Sequence, residues 1–366
     1  FRRVLFRSKI ISAIHSYPAY PLSSLMVKYE DRDYIESREW LAVETSRGCM
    51  FECAFCNFPI LGVKDDHTRD ADDFRIQLQD AYDRFGVTNY VVADETFNDR
   101  TEKITKFANA VSELSFKPWF SGYIRADLLV SRPLDREELL RMNFLGHYYG
   151  IESFNHVSAR AIGKGMKSDR LKEGLIDVRN YFETHGSQRY RGMMSLIIGL
   201  PHETKESIYN SFKWLEDNWQ GQAFTMHPLS IPSSDTINLQ SRISQDLGQY
   251  NYEIISDEEL ETVYKDRSVV VNTPFNNIVK PEQRKNAQKE IYWKNPDMTR
   301  FDAVDIASEI ATKKSKLDFR PGCYTLSYKL KEPSTVDSKL EMSFDKFDSI
   351  LDFSIESYIN KKLNNK

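Results

Sequence analysis

Three cysteines stand close enough together in this sequence to share one metal site. Cys49, Cys53 and Cys56 have the spacing C-x3-C-x2-C, and thiolates are soft ligands that bind zinc or iron–sulfur clusters. A structural zinc site commonly takes four protein ligands, often from two separated C-x2-C pairs, and this sequence has no second pair. The spacing therefore favours an iron–sulfur cluster with one iron left free of protein. Zinc is the alternative, with His67 as the nearest candidate for a fourth ligand.

Composition excludes several classes of protein. The 366 residues include 50 Lys and Arg against 54 Asp and Glu, a net charge of -4, which gives no basic field for gathering nucleic acid. The apolar fraction of 40% is enough for a substantial core, and no apolar run approaches the roughly 20 residues of a membrane helix. Four cysteines in so long a chain do not make a disulfide scaffold. We therefore expect a cytoplasmic protein without a nucleic-acid or membrane partner.

Strand-like and helix-like segments alternate from residue 41 to about residue 230. The predicted strands are 41–45, 90–93, 119–124, 147–151, 193–198 and 223–229. The predicted helices are 70–85, 100–115, 168–185 and 204–218, and Asp135 with Glu138 predicts a capping box that opens one more. Six consecutive βα units imply right-handed crossovers and a parallel sheet. The predicted fold class is α/β, a partial (β/α)6 TIM-like barrel with a mostly helical C-terminal extension.

Functional sites of such barrels lie at the carboxyl ends of the strands. The three cysteines follow the first predicted strand. Further polar residues and one glycine follow the next four strands, namely Asp94 and Glu95, then Arg125, then Glu152 and Ser153, then Gly199. We therefore expect all of them to meet at one edge of the sheet.

The cysteine triplet, with Phe55 directly before its third member and a strand before it, resembles the radical SAM superfamily. In that family three cysteines hold a [4Fe-4S] cluster, and S-adenosylmethionine (SAM) chelates the fourth iron. An electron passed into the sulfonium then cleaves SAM to methionine and a 5′-deoxyadenosyl radical. The resemblance covers residues 40 to 230. It implies that Cys49, Cys53 and Cys56 are the cluster ligands and that Phe55 lies at the cofactor site.

The segments after the second and third strands carry the resemblance further. Residues 93–98, Ala-Asp-Glu-Thr-Phe-Asn, stand where the family has a Gly-Gly-Glu segment that holds the methionine moiety. Both glycines are missing, and the segment resembles the acidic variant of the cobalamin-binding and methylthiotransferase-like branches. Asp94 and Glu95 are thus implied to bind SAM, although Asp94 could instead cap the following helix. Arg125 could reach the carboxylate of SAM or form a surface ion pair.

Two further stretches resemble the same branches. Residues 150–153 and 162–165 look like their "GIES…KG" stretch, which implies that Glu152 and Ser153 bind ribose hydroxyls or the methionine amine. Residues 195–204 resemble a "GLPGET" turn, with His202 in place of its second glycine. That turn implies a backbone contact between Gly199 and adenine, whereas capping explains Glu203 and Thr204 equally well. No residue is assigned a catalytic role.

Together these stretches are most similar to the cobalamin-dependent branch, whose members carry an N-terminal cobalamin-binding domain. Residues 9–40 read as an entry segment, and no such domain precedes residue 41 in this chain. Residues 1–8 match the translation of a common sequencing-library adapter, so we leave them out and expect a truncation there. The resemblance favours methyl transfer with cobalamin. The alternatives are a cobalamin-free oxidoreductase or methylthiotransferase, a fold that keeps its cluster without turnover, and a non-enzymatic protein whose cysteine triplet binds zinc.

The implied partners are a small-molecule or peptide substrate and an electron donor such as flavodoxin or ferredoxin. We interpret residues 41–232 as the radical SAM core. Residues 233–366 are interpreted as a helical cap over the open edge of the barrel or as a substrate-binding region. Cys323 is expected to be an unliganded thiol, with a role as hydrogen donor as the alternative.

Overall fold

The computed structural model of the chain describes residues 26–30, 35–37, 39–57, 67–186, 190–232, 241–266 and 291–317, together with Leu22 and Asp33. Its strands, in chain order, are β1 (Trp40–Val43), β2 (Ser46–Arg47), β3 (His67–Thr68), β4 (Asn89–Val92), β5 (Trp119–Ile124), β6 (Phe144–Glu152), β7 (Arg191–Ile198), β8 (Ala223–Pro228), β9 (Glu253–Ile254) and β10 (Trp293–Lys294).

One sheet organises the molecule. It has six parallel strands in the order β1, β4, β5, β6, β7, β8. Within the described residues β1 and β8 are its two edges, so the sheet is open, as a partial barrel requires. The short strands pair separately, β2 with β3 and β9 with β10, both antiparallel.

Helices connect the strands of this sheet. They are α1 (Ala71–Phe85), α2 (Thr101–Ser112), α3 (Ala126–Ser131), α4 (Pro133–Arg141), α5 (His156–Ala161), α6 (Ser168–His185), α7 (Lys205–Asn218), α8 (Arg242–Gln245), α9 (Asp257–Asp266) and α10 (Arg300–Lys314). Local chemistry fixes their ends. The side chain of Asp70 accepts hydrogen bonds from the first turn of α1, and Gly86 ends that helix in the left-handed conformation with φ 69°.

The core lies between the helices and the sheet. Phe74 on α1, Phe107 on α2 and Phe120 on β5 are fully buried and in ring contact, with centroids 5.1 and 6.0 Å apart. Burying a side chain of this size contributes roughly 1.5–3 kcal/mol. This packing fixes the strands and thereby the loops at their carboxyl ends.

One predicted helix start is wrong. Helix α4 begins at Pro133, not at a capping box on Asp135, because proline is well suited to the first helical position. Asp135 lies inside the first turn, fully buried, and accepts a hydrogen bond from the Thr101 hydroxyl at 2.5 Å. The pattern also failed to predict the short helices α3 and α5.

Residues after β8 pack against the far edge of the sheet. The Lys314 ammonium of α10 donates to the Phe224 carbonyl of β8, and the Trp293 indole donates to the Leu229 carbonyl at 2.9 Å. The predicted fold class, an α/β partial barrel with a mostly helical C-terminal extension, is confirmed for the described residues. The domain bounds at 8, 40 and 232 stay predictions, and Cys323 lies outside the described residues.

No helix in the described part of the chain combines the length and the apolar character needed to cross a bilayer.

Candidate active site

The cysteine loop, residues 48–57, starts directly after β2. Cys49, Cys53 and Cys56 are partly exposed thiols, not disulfides. The loop is fixed at Ala54, whose N–H donates to the Ile162 carbonyl after α5 and whose carbonyl accepts from the Ile243 N–H of α8, both at 3.1 Å. The three cysteines are therefore carried on a segment that two other parts of the fold hold in place.

Asp94 holds the segment that leads into this loop. Its buried carboxylate accepts from the N–H groups of Thr45 at 2.8 Å and Ser46 at 3.1 Å, and from both of their hydroxyls. Burial raises the pKa of Asp94, and the nearby Lys103 charge and these hydrogen bonds offset part of that rise. The capping explanation is wrong, because the N-cap residue of α2 is Arg100. Binding of SAM by Asp94 stays a prediction.

Glu95 and Thr96, which follow Asp94, lie between the end of β4 and the cysteine loop. The Thr96 hydroxyl lies 3.8 Å from the Cys49 sulfur. Glu95 is half-buried, and burial, followed by the charges of Asp94 and Glu44, raises its pKa above the ordinary value. Glu95 thus stands at the predicted edge with a carboxyl group that holds its proton more tightly than usual.

The Arg125 side chain packs against the cysteine loop. Its guanidinium carbon is 3.7 Å from the centre of the Phe51 ring, between the first two cysteines. Two hydrogen bonds join it to Asp127, from Nε to Oδ1 at 3.0 Å and from Nη2 to Oδ2 at 2.7 Å. Arg125 is 9% exposed and the Asp127 side chain 24% exposed, so the ion pair considered from the sequence is present but is largely buried and does not lie on the surface.

Glu152 ends β6 in an unusual backbone conformation. Its φ is 66°, in the left-handed region that residues other than glycine rarely adopt. The register of β6 against β7 shifts between Gly150 and Glu152. The carboxylate turns back over Gly150, where an added Cβ would lie 2.5 Å from Oε1. Lys164 approaches it at 3.6 Å. Burial raises the pKa of Glu152, and Lys164 lowers it in part.

Ser153 and Gly199 meet at a second buried carboxylate, Glu203. The Ser153 hydroxyl donates to Oε1 at 2.6 Å and the Gly199 N–H donates to Oε2 at 3.2 Å. Burial raises the pKa of Glu203 to about 7. The Gly199 carbonyl accepts from the Tyr252 hydroxyl at 2.6 Å, so both backbone polar groups of Gly199 are used within the protein. Its contact with adenine stays a prediction.

The remaining predicted residues lie apart from these networks. Phe55 is partly buried and packs against the core. His67 belongs to β3, paired with Arg47 of β2, and among the described residues its Nε2 is buried without a hydrogen-bond partner. His202 stands exposed in its turn with φ 65°, in the left-handed region that favours glycine.

The donor set of the cysteine loop is of the kind that holds an iron–sulfur cluster. In the described part of the chain, no three His, Cys, Asp or Glu side chains are arranged to share one metal ion. Zinc would need its thiolates at about 2.3 Å from one centre. In a cluster each thiolate binds a different iron, and such clusters are held by Cys thiolates. The cysteine loop supplies three such thiols, those of Cys49, Cys53 and Cys56.

Sequence reasoning missed four residues that organise the site: Asn98, Lys103, Lys164 and Glu203. Asn98 accepts from the Arg125 N–H at 2.7 Å and donates to its carbonyl at 3.0 Å. Lys103 lies 2.7 Å from Asp99 and 3.9 Å from Asp94. Lys164 and Glu203 did leave a signal, because they stand in the stretches 162–165 and 195–204 that carry the resemblance.

Comparison with known proteins supports the same reading. Residues 43–215 match the family model described as the radical SAM superfamily, a span that contains the three cysteines and every polar residue predicted for the site. A search of the curated proteins found no match.

Two solved structures match parts of this chain. One is the radical SAM methyltransferase TsrM from Kitasatospora setae with cobalamin and a [4Fe-4S] cluster bound, at 12% identity and a TM-score of 0.54 over 81% of this chain and 57% of that one. The other is the cobalamin-dependent SAM radical enzyme OxsB with aqua-cobalamin and SAM bound, at 15% identity and a TM-score of 0.47 over 81% of this chain and 44% of that one. This chain thus spans little more than half of TsrM, and the likeness to TsrM concerns the fold alone.

Proposed function

We propose that this chain, which carries a radical SAM domain over residues 43–215, is an enzyme that cleaves SAM reductively. In this proposal Cys49, Cys53 and Cys56 hold a [4Fe-4S] cluster. The observation that carries it is the fixed loop bearing three thiols at the carboxyl edge of a six-stranded parallel sheet. When bound, the cluster would supply the electron that breaks the carbon–sulfur bond of SAM.

The chain's own residues would hold and orient the cofactors. Asp94 keeps the entry to the cysteine loop in place through Thr45 and Ser46. Glu152, turned back over Gly150 and paired with Lys164, offers a carboxylate for the methionine amine or for a ribose hydroxyl. The other SAM contacts in the proposal are Phe55, Glu95, Arg125, Ser153 and Gly199.

The test is formation of 5′-deoxyadenosine. The protein is purified without oxygen, reconstituted with iron and sulfide, reduced, and given SAM, and the product is measured by mass spectrometry. We expect product from the wild type and none from Cys53→Ala, with the barrel still folded by circular dichroism. Product formation unchanged in Cys53→Ala would contradict the proposal, and so would a colourless protein that contains zinc and no iron. A brown protein that forms no product would favour the fold without turnover.

Within the superfamily we propose the cobalamin-dependent branch and methyl transfer. The support is the likeness of residues 150–153 and 195–204 to stretches of that branch, and a fold similar to that of TsrM. The test is incubation with methyl-labelled SAM and cobalamin, followed by mass spectrometry of the cobalamin for the labelled methyl group. Cleavage of SAM without any labelled methylcobalamin would favour the cobalamin-free oxidoreductase or methylthiotransferase.

The remaining parts of the proposal concern partners and place. An electron donor of the flavodoxin or ferredoxin type and a small-molecule or peptide substrate are proposed, without a nucleic acid or a membrane. A reducing cytoplasm is proposed because the thiols of the cysteine loop must stay reduced to bind iron.

A further inference from the structure

The position of Arg125 is fixed at both of its ends. Its backbone N–H donates to Asn98 at 2.7 Å and its carbonyl accepts from the same side chain at 3.0 Å. Its guanidinium lies 3.7 Å above the Phe51 ring. Phe51 is one of the three residues between Cys49 and Cys53, so the cation stands against the cysteine loop itself.

The Arg125 guanidinium lies between the cysteine loop on one side and Asp127 on the other. Cys49 and Cys53 lie within electrostatic range of Arg125. Burial tends to lower the pKa of Arg125, but the bond to Asp127 and the thiolate charges raise it above the ordinary value. Burial tends to raise the pKa of Asp127. The hydrogen bonds and charge of Arg125, and then the charge of Lys164, nevertheless hold this pKa below its usual range. The positive end of the pair therefore stacks on the cysteine loop, and the negative end has a second cation beside it.

A charge that stacks on the cysteine loop and interacts electrostatically with Cys53 and Cys49 also acts on any anionic group that these residues bind. A cluster on three thiolates becomes more negative by one charge when it takes up an electron. A fixed cation nearby stabilises that reduced form, and a fixed anion opposes it, most strongly where water is excluded. Net charge and solvent exposure are among the factors that set the reduction potential of iron–sulfur clusters.

We propose that the Arg125–Asp127 pair sets the reduction potential of the cluster held by Cys49, Cys53 and Cys56, with Arg125 raising it and Asp127 limiting the rise. This inference rests on the proposed function. It differs from the contact with the SAM carboxylate considered for Arg125, because it acts before SAM is bound.

The test is a redox titration of the reconstituted protein, followed by electron paramagnetic resonance, without SAM. Arg125→Met removes the cation, and we expect the one-electron midpoint potential to become more negative. Asp127→Asn removes the anion, and we expect a shift to more positive potential. Arg125→Lys keeps the charge without the stack on Phe51, and its shift should be smaller than that of Arg125→Met. Arg170→Met, on the exposed first turn of α6, is the matched control and should not shift.

Shifts of opposite sign separate an electrostatic role from a structural one, because loosening the loop in both variants would move the potential in one direction. Unchanged potentials, or two shifts of the same sign, would overturn the inference. If Arg125→Met fails to fold, Asp127→Asn alone tests the inference, which requires its midpoint potential to shift to a more positive value. A wild type that takes up no iron would overturn the proposed function as well, whereas a wild type that cleaves SAM with potentials unmoved by substitution would overturn only this inference.

Discussion

At the scale of single residues, the pair Gly150 and Glu152 combines strain with close approach. Glu152 keeps φ at 66° and folds its carboxylate into the space that a side chain at position 150 would need. A non-glycine residue in the left-handed region costs of order 1–3 kcal/mol. Strain of this kind persists only where the surroundings hold it, as Lys164 does here.

Gly150→Ala should weaken SAM binding. The added Cβ would lie 2.5 Å from Glu152 Oε1 and push the carboxylate out of place. Because only the end of the Glu152 side chain has to move, the loss should appear in SAM binding, where a hydrogen bond to a charged group contributes roughly 1.5–3 kcal/mol. We therefore expect SAM affinity to fall roughly tenfold or more, measured by calorimetry on the reconstituted protein. Gly165→Ala is the matched control, since an added Cβ there meets nothing within 4 Å. Equal affinities for the two variants would contradict the role given to Glu152.

Glu203 gives the stability a pH dependence. Burial raises its pKa from 4.5 to about 7, so between these values the folded state keeps a proton that the unfolded state has lost. Unfolding then releases a proton, and stability falls as pH rises, by about 1.4 kcal/mol per pH unit. From pH 5 to pH 7 we expect the wild type to lose roughly 2–3 kcal/mol relative to Glu203→Gln.

Urea unfolding at pH 5, 6 and 7 measures this difference. Glu206→Gln, an exposed glutamate in the first turn of α7, is the control and should run parallel to the wild type. Parallel curves for wild type and Glu203→Gln would show that Glu203 is already ionised when folded.

At the scale of elements, hydrophobic pattern predicted the scaffold well. The strand predicted over 119–124 coincides with β5, and the other five overlap their strands with end shifts of a few residues. These strands are buried in a parallel sheet, and such strands are apolar runs that stand out in a sequence. Helix α1 was equally clear because Asp70 and Gly86 mark its ends.

The same pattern could not predict contacts between distant elements. Asp94 and Thr45 are 49 positions apart, and the local sequence around either residue does not predict the hydrogen bond between them. The shift of register in β6 that gives Glu152 its conformation depends on pairing with β7. The site was therefore predictable as a set of residues at one edge, whereas the partners of each residue were not.

Asp94→Ala should detach the entry to the cysteine loop from β4. It would leave the buried N–H groups of Thr45 and Ser46 and the Lys103 ammonium without this carboxylate. Removing one partner of such a buried network costs about 3–5 kcal/mol, and we expect that loss in chemical denaturation, together with reduced iron uptake. Asp72→Ala is the control, because the Asp72 side chain is 76% exposed. A loss below about 1 kcal/mol, the range of exposed pairs, would contradict the anchoring role.

At the scale of the whole molecule, the described C-terminal residues complete the carboxyl edge of the sheet. The Trp293 ring covers Gly199, where an added Cβ would lie 2.2 Å from it, and Tyr252 binds the Gly199 carbonyl. Gly199 keeps φ at 92°, so the turn after β7 is formed jointly by the barrel and by residues about 50 and 90 positions further on.

Trp293→Ala should therefore affect both stability and the cofactor edge. Trp293 is fully buried, and truncating such a side chain costs about 3–5 kcal/mol. We expect that loss in urea unfolding, with weaker SAM binding at temperatures where the variant is folded. Trp293→Phe refills most of the volume and should recover most of the stability and of the SAM binding. Normal SAM binding by Trp293→Ala would show that Trp293 contributes only to packing.

The most direct test of the central claim is the electron paramagnetic resonance spectrum of the reduced, reconstituted protein with and without SAM. It reports the cluster and the approach of SAM to its iron in one measurement. We predict a signal of a reduced [4Fe-4S] cluster that changes when SAM is added and is absent from Cys49→Ala, Cys53→Ala and Cys56→Ala. A wild type with no such signal, or a signal that survives loss of any one of these cysteines and ignores SAM, would contradict it.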